Sequence, residues 1–149
     1  VFLSKGYGHG AALIELDVAS DGGWSTDTVW EARVLKTKFS NVAILDGVAY
    51  GLDDGILSAV DIETGERLWK KGRYEYGQIL LVGSHLLVMS ETGELVLVQA
   101  SPERHHEIAR IQALDGQSWN TIAIFGDRVL VRNSEQAACY RIKLKGGAE

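Results

Sequence analysis

The sequence contains few of the residues that build redox sites, metal sites or membrane anchors. Its 149 residues include one cysteine, Cys139, and one proline. A single thiol excludes a disulfide within the chain and a metal site made of several thiolates. No apolar run approaches the ~18 residues of a membrane-spanning helix. The N-terminal segment VFLSKGYGHG lacks the basic and apolar regions of a signal peptide. We therefore expect no membrane insertion and no signal peptide in this chain.

Positive charge is also scarce. Fifteen lysines and arginines stand against twenty aspartates and glutamates, so the formal net charge at pH 7 is −5. Nucleic acid favours clustered basic residues, and we expect no nucleic-acid partner. The hydrophobic share of 46% and the charged share of 23% are typical of a globular domain, and the length suits a single one.

Short segments rich in β-branched and aromatic residues take the place of helical periodicity. Gly, Asp and Ser separate these segments, a pattern that predicts strands. Two-residue turns such as Asp46-Gly47 and Gly126-Asp127 predict hairpins. The fourteen predicted strands cover residues 1–4, 12–18, 28–35, 42–45, 48–52, 56–61, 66–70, 79–82, 86–90, 94–99, 107–111, 121–125, 128–132 and 137–142.

The predicted strands repeat along the chain. The stretch VAILDGVAYGLDDGILSAVD (42–61) aligns with residues 79–99 and 122–141. Anchoring on the third strand of each unit, the residues that correspond are Asp17, Asp61, Gln99 and Arg141. Four short strands per ~40 residues are typical of β-propeller blades. The sequence therefore predicts an all-β partial propeller ring of about three and a half four-stranded antiparallel blades. The predicted units of this single segment, 1–149, are approximately residues 1–38, 39–74, 75–116 and 117–145.

The stretch AVDIETGERLW (59–69) suggests how neighbouring blades are joined. Ala59 is small, so a neighbouring ring can approach it closely. Asp61 can accept hydrogen bonds from the backbone of a turn at Thr64 and Gly65, where glycine tolerates a positive φ. Trp69 has a large face to bury and an indole N–H that needs an acceptor. We expect Trp69 to be largely buried against an adjacent blade, with Ala59 and Gly65 beside it.

The spacing A-x-D-x-x-T-G-x-x-x-W resembles the tryptophan-docking motif of quinoprotein-type propellers, the pyrroloquinoline quinone repeat family. The resemblance implies blades of the quinoprotein or WD40 type, in which the tryptophan of one blade docks on the next. Residues 42–72 carry the full motif. The first unit keeps Leu16-Asp17 and Trp30 on either side of an insertion, and the third unit has neither the Asp nor the Trp.

The same resemblance indicates a face for ligand binding. Family members that bind a ligand do so mainly where the loops between blades (D–A) and between strands B and C lie, above the central channel. Loops on a rigid scaffold often carry function. The candidate ligand- or partner-binding residues on this face are Lys38, Asn41, Arg73, Tyr74, Tyr76, Gln78, Trp119 and Asn120. In the alternative interpretation, the aromatic residues only pack under the loops and the basic ones are solvated.

No catalytic or metal-binding set is recognisable in the sequence. Adjacent His105 and His106 would point to opposite faces of a strand, which favours a surface pair. Asp53-Asp54-Gly55 lacks the series of oxygen ligands that calcium needs and favours a turn. Cys139 has no basic partner placed by the sequence, which favours a buried and unreactive thiol.

Three classes of function are compatible with the resemblance. A quinoprotein dehydrogenase would hold pyrroloquinoline quinone and calcium over the channel. Such enzymes commonly have a vicinal cysteine pair, so neither cofactor is expected here. A non-catalytic propeller would bind a protein partner, and a structural segment would belong to a larger propeller. We favour the last two together, as a scaffold that binds a protein or self-associates through open blade edges. A dehydrogenase fragment is the alternative, and the resemblance implies a periplasmic or other extracytoplasmic location.

Overall fold

The computed structural model describes residues 1–142, which form fourteen strands in four antiparallel sheets. The first sheet contains β1 (Phe2–Lys5), β2 (Gly10–Val18) and β3 (Trp24–Ala32). The second contains β4 (Ala43–Leu45), β5 (Val48–Asp53), β6 (Ile56–Asp61) and β7 (Arg67–Arg73). The third contains β8 (Gln78–Val82), β9 (His85–Met89), β10 (Glu94–Gln99) and β11 (His106–Gln112). The fourth contains β12 (Ala123–Phe125), β13 (Arg128–Arg132) and β14 (Ala137–Arg141).

This arrangement confirms the predicted fold, an all-β partial propeller of about three and a half blades. Strand order in every sheet follows the chain, and the sheets correspond to strands B–D, A–D, A–D and A–C. The exact limits of the four predicted units stay a prediction, and the last unit, 117–145, extends beyond the described residues. Within residues 1–142, no helix is long and apolar enough to cross a membrane.

One irregularity recurs at the same place in the first three sheets. The pairing between strands C and D shifts register after Leu13 in β2, after Ala59 in β6 and after Leu97 in β10. A bulge of this kind bends the strand and increases its local twist. Trp30 lies opposite Leu13, and Trp69 lies opposite Ala59. The bulge therefore marks equivalent positions in successive blades.

The first sheet departs from the predicted strand limits. β2 and β3 continue through the segment that the sequence suggests as an insertion, and a turn at residues 19–23 joins them. Counted from the bulge, Glu15 occupies the position of Asp61. The alignment of Asp17 with Asp61 is therefore wrong by two residues, because the extended hairpin lengthens this repeat.

The hydrophobic core lies between successive sheets. Tyr50 and Leu57 of the second sheet pack with Val88 and Val98 of the third. Two further clusters join the first sheet to the second and the third to the fourth. Because burial of a side chain of this size contributes roughly 1.5–3 kcal/mol, the two middle sheets, covered on both faces, are held most strongly.

The outward faces of the first and last sheets are open among the described residues. In β13, Val129 and Val131 are buried while Leu130 between them is exposed. Cys139 in β14 is exposed as well, so the prediction of a buried thiol is wrong. The reason is that Cys139 lies on the outward face of the last sheet, where no other part of the described chain packs.

The three loops between sheets share a backbone feature. Leu35, Glu75 and Gly116 have positive φ angles of 44°, 53° and 76°, and they lie one repeat apart. Positive φ is uncommon for residues other than glycine.

Glu91, in the turn between β9 and β10, donates its backbone N–H to the carbonyl of Tyr74 at 3.0 Å. The B–C turn and the D–A loop thus meet on one face of the molecule.

Candidate functional site

Two tryptophans connect successive sheets with the same geometry. The indole Nε1 of Trp30 donates to the carbonyl of Ile62 at 3.0 Å, and Nε1 of Trp69 donates to the carbonyl of Ser101 at 2.8 Å. In both cases the acceptor lies 32 residues further along the chain. A buried indole needs such a partner, so each bond anchors a ring on the turn that follows strand C of the next sheet.

Trp69 is half-buried and packs against the core cluster between the second and third sheets. It packs against Tyr50 at 6.1 Å and His105 at 5.8 Å between ring centroids. Ala59, fully buried, lies opposite it in the sheet. Gly65, however, lies under Trp30 of the preceding sheet, where an added Cβ would stand 2.7 Å from the ring. The motif therefore contains the donor of one junction and the receiving surface of another.

Asp61 organises the receiving turn. Its Oδ1 accepts hydrogen bonds from the backbone N–H groups of Thr64 at 2.8 Å and Glu63 at 3.0 Å, and from the Thr64 hydroxyl at 3.0 Å. The hydrogen bonds from Thr64 lower the pKa of Asp61, and that of its backbone N–H has the largest effect. The carboxylate thus holds the turn in the shape that presents Gly65 to the tryptophan.

Glu91 is the main node of the loop-bearing face. Its carboxylate accepts hydrogen bonds from the Tyr76 backbone N–H at 3.1 Å, from Gln117 Nε2 at 3.0 Å and from Trp119 Nε1 at 3.0 Å. Burial acts to raise the pKa of Glu91, but these hydrogen bonds outweigh it and the pKa is lowered. An ionised carboxylate therefore ties two D–A loops together.

Aromatic and basic side chains meet above this node. Lys38 donates to the Tyr76 hydroxyl at 3.2 Å, and its Nζ lies 4.7 Å from the centre of that ring. The exposed rings of Phe39 and Trp119 are 5.7 Å apart. Phe39 has a φ of 60°. We call Lys38, Phe39, Tyr76, Glu91 and Trp119 the loop cluster.

The structure brings together half of the residues predicted for this face. Lys38, Tyr76 and Trp119 are in the loop cluster, and buried Gln78 donates to the Phe39 carbonyl at 2.6 Å. The other four predicted residues lie outside the cluster. Arg73 pairs with Glu75 at 3.4 Å, Tyr74 is buried, Asn41 is exposed and Asn120 is half-buried.

Sequence reasoning missed two members of the cluster. Phe39 is one residue from Lys38, but nothing in the sequence shows that its ring is held in solvent. Glu91 is in a predicted B–C turn. An acidic residue in that turn, on the same face as loops rich in N–H donors, could have indicated its role. The contacts with Tyr76 and Trp119 depend on the packing of adjacent blades, which a single sequence does not display.

A second network lies between the outer strands of the middle sheets. The Tyr74 hydroxyl bonds to His105 Nε2 at 2.8 Å and donates to Glu107 at 3.1 Å. Burial, with a contribution from Glu107, raises the pKa of Tyr74 well above its usual value. His105 also packs against Trp69. The prediction of a surface histidine pair is therefore wrong for His105, whereas His106 is exposed.

His105 gives the fold a pH dependence. Burial, reinforced by nearby cations, lowers the pKa of His105 below 6.5, although Glu107 acts in the opposite direction. Below pH 6.5 the unfolded chain binds this proton more readily than the folded chain, so the free energy of unfolding falls as the pH decreases. We expect urea titrations to show a loss of stability from pH 7 to pH 5 that His105→Gln reduces. His106→Gln is the matched control, and an equal effect of both variants would contradict the assignment.

The sequence Asp53-Asp54-Gly55 forms the turn between β5 and β6, where Asp53 pairs with Ile56. Asp54 and Gly55 have φ angles of 50° and 84°, as a type I′ hairpin requires. The carboxylate of Asp53 is fully buried and is paired with Arg67 at 3.0 Å and Lys70 at 2.9 Å. Both cations pair with Oδ2, and Oδ1 accepts from the Lys36 backbone N–H at 3.1 Å, so both oxygens that a calcium ion would use already have partners. Residues 1–142 contain no group of three or more His, Cys, Asp or Glu side chains that could hold a metal ion.

The fold and its four-sheet arc define a β-propeller segment, and comparisons with known proteins agree on the fold. No protein-family profile and no curated protein matches the chain. Many solved structures are similar to the chain, among them the following three. The first is the computationally designed protein Ika4, with 11% identity, a TM-score of 0.62 and coverage of 87% of this chain and 86% of that one. The second is the designed protein Ika8, with 11% identity, a TM-score of 0.61 and coverage of 87% and 43%.

The third similar structure is BamB from Moraxella catarrhalis, a β-propeller. It has 17% identity and a TM-score of 0.58, over 76% of this chain and 33% of BamB. The chain thus spans less than half of Ika8 and a third of BamB. At these identities the likeness is one of fold.

Proposed function

We propose that this chain is a non-catalytic segment of a quinoprotein-like propeller and acts as a protein-binding scaffold outside the cytoplasm. The exposed pair Phe39 and Trp119, 5.7 Å apart, is the observation that supports this function best. Aromatic side chains are enriched where proteins bind each other. The hydrogen bond from Trp119 Nε1 to Glu91 fixes the indole, and that from Gln78 to the Phe39 carbonyl fixes the backbone that carries the second ring.

The chemistry of the loop cluster suits an extended peptide segment. Two aromatic faces offer apolar contact. In the same cluster Lys38, which lies over Tyr76 and pairs with Asp54 at 3.6 Å, carries a positive charge. A few such anchors usually provide most of the binding energy of an interface. The partner segment would then combine an apolar or aromatic side chain with a carboxylate.

Selection of displayed random peptides on the immobilised chain tests this function. We expect enriched peptides to carry an aromatic or large apolar residue near an acidic one. Phe39→Ser and Trp119→Ser should each weaken their binding by roughly 10-fold or more, the effect of losing an interface anchor. Trp24→Ser is the matched control, because Trp24 is 71% exposed and lies on β3, outside the cluster. Failure to enrich peptides, or equal losses in all three variants, would disprove the assignment.

If the chain were a fragment of a quinone-dependent dehydrogenase, it would oxidise alcohols with added quinone. We expect no such turnover. The chain has one cysteine, and the carboxylates of Asp53 and Glu91 are already bonded to cations or N–H groups. The measurement is dye-linked alcohol oxidation with added pyrroloquinoline quinone and calcium, compared with a heat-denatured sample. Quinone-dependent turnover above that control would show that the chain is an enzyme fragment and would contradict the proposed scaffold function.

A further inference from the structure

The outward face of the last sheet repeats the design of an internal blade face. The third sheet packs on the fourth through Leu87 and Leu97, which lie opposite each other in β9 and β10. The equivalent opposed pair in β13 and β14 is Leu130 and Cys139. Leu130 is 47% exposed and Cys139 is exposed. A position that is covered in the third sheet is thus uncovered in the fourth.

The opposite end of the arc carries the complementary face. The third sheet presents Leu86 and Val98, an opposed pair, to the second sheet. The corresponding pair in the first sheet is Val1 and Ile14, which exchange backbone hydrogen bonds of 2.6 and 2.8 Å. Leu3, on the same side of β1, is 52% exposed. All three side chains are apolar, as in a face that receives a preceding blade.

Charge also differs between the two end faces. By strand pairing, Arg128, Arg132 and Arg141 lie on the same side of the last sheet as Leu130. The corresponding outward side of the first sheet carries Lys5 and Glu31 among its apolar residues. Arg132 occupies in β13 the position that Met89 occupies in β9, where the side chain is almost fully buried. An arginine buried there would need a carboxylate partner, and Glu31 is the carboxylate that the strands of the first sheet offer on this side.

We propose that two copies of this chain close into one ring, in which the last sheet of each copy packs on the first sheet of the other. Each copy supplies one end face of each kind, so a two-fold axis covers both faces at once. Eight sheets would complete the ring. The aligned arc covers 86% of the designed protein Ika4 but 43% of the designed protein Ika8, so the same arc is nearly a whole chain in one and less than half of a chain in the other. This pairing goes beyond the proposed peptide binding, because it uses sheet faces and not the loop cluster.

Sedimentation velocity at micromolar concentration tests the ring. We expect a mass twice that of one chain. Leu130→Asp should raise the concentration at half-dissociation by at least roughly 10-fold, because it buries a charge in the apolar centre of both contacts. Ile108→Asp is the matched control, since Ile108 is 46% exposed but lies on β11, away from both end faces. Circular dichroism verifies that both variants fold.

Two further measurements separate a closed pair from other associations. Leu3→Asp should impair pairing like Leu130→Asp, but a mixture of the two variants restores one native contact and should form a mixed pair. The single thiol of Cys139 should react more slowly with a maleimide at concentrations where the chain is paired than where it is dissociated. A monomer at all concentrations, a mass that grows without limit, or equal effects of Leu130→Asp and Ile108→Asp would overturn the proposal.

Discussion

Replacement of Trp69 by alanine is expected to lower the free energy of unfolding by roughly 3–5 kcal/mol, the range for truncating a large packed side chain. Trp69 packs on the buried ring of Tyr50, lies edge-on to His105 and donates to the Ser101 carbonyl at 2.8 Å. The variant loses these contacts together and leaves the carbonyl of Ser101 without this donor. Equilibrium unfolding in urea measures the change.

The control for this prediction is another tryptophan of the same chain. Trp24 is 71% exposed at the start of β3, so Trp24→Ala should change the stability by no more than about 0.5 kcal/mol, as is usual for surface substitutions. A loss of less than about 1 kcal/mol for Trp69→Ala would mean that the ring does not join the second and third sheets.

Replacement of Gly65 by alanine should have the next largest effect. Gly65 has a φ of 73°, and its added Cβ would stand 2.7 Å from the ring of Trp30. The left-handed backbone costs alanine about 1–2 kcal/mol, and displacing a packed ring costs about 1–3 kcal/mol more. We expect a total loss of roughly 3 kcal/mol in urea unfolding.

Gly47 provides the comparison for the backbone term. Its φ of 77° is similar, but nothing lies within 4 Å of an added Cβ. Gly47→Ala should therefore cost only the backbone contribution, about 1–2 kcal/mol. Equal losses at the two positions would show that Trp30 contributes nothing at Gly65, and the junction between the first and second sheets would need another explanation.

The fold could be predicted from the sequence because short-range patterns determine the strands and turns of a propeller. Alternating apolar residues and turn pairs such as Asp46-Gly47 mark each hairpin, and their recurrence marks each blade. The error at Asp17 arose where β2 and β3 extend beyond the usual repeat. No local pattern distinguishes a long hairpin from an inserted loop, since both are polar and rich in glycine.

The loop cluster was accessible only in part, for a different reason. Blade order alone places Lys38, Tyr76 and Trp119 on one face. The exposure of Phe39 depends on a positive φ in a residue other than glycine. Such a backbone angle cannot be predicted from a single sequence. The burial of His105 against Trp69 and Tyr74 likewise depends on contacts between blades.

The difference in cover between the middle and end sheets has a consequence for the order in which the molecule opens. Backbone amides exchange with solvent through local unfolding, and units with few packed neighbours open at the lowest free energy. β5, whose six residues are all buried, lies in a sheet packed on both sides, whereas β13 alternates between buried and exposed residues. Amide protons of β5 should therefore be retained longer in deuterated water than those of β13, when exchange is measured at concentrations where the chain is not paired.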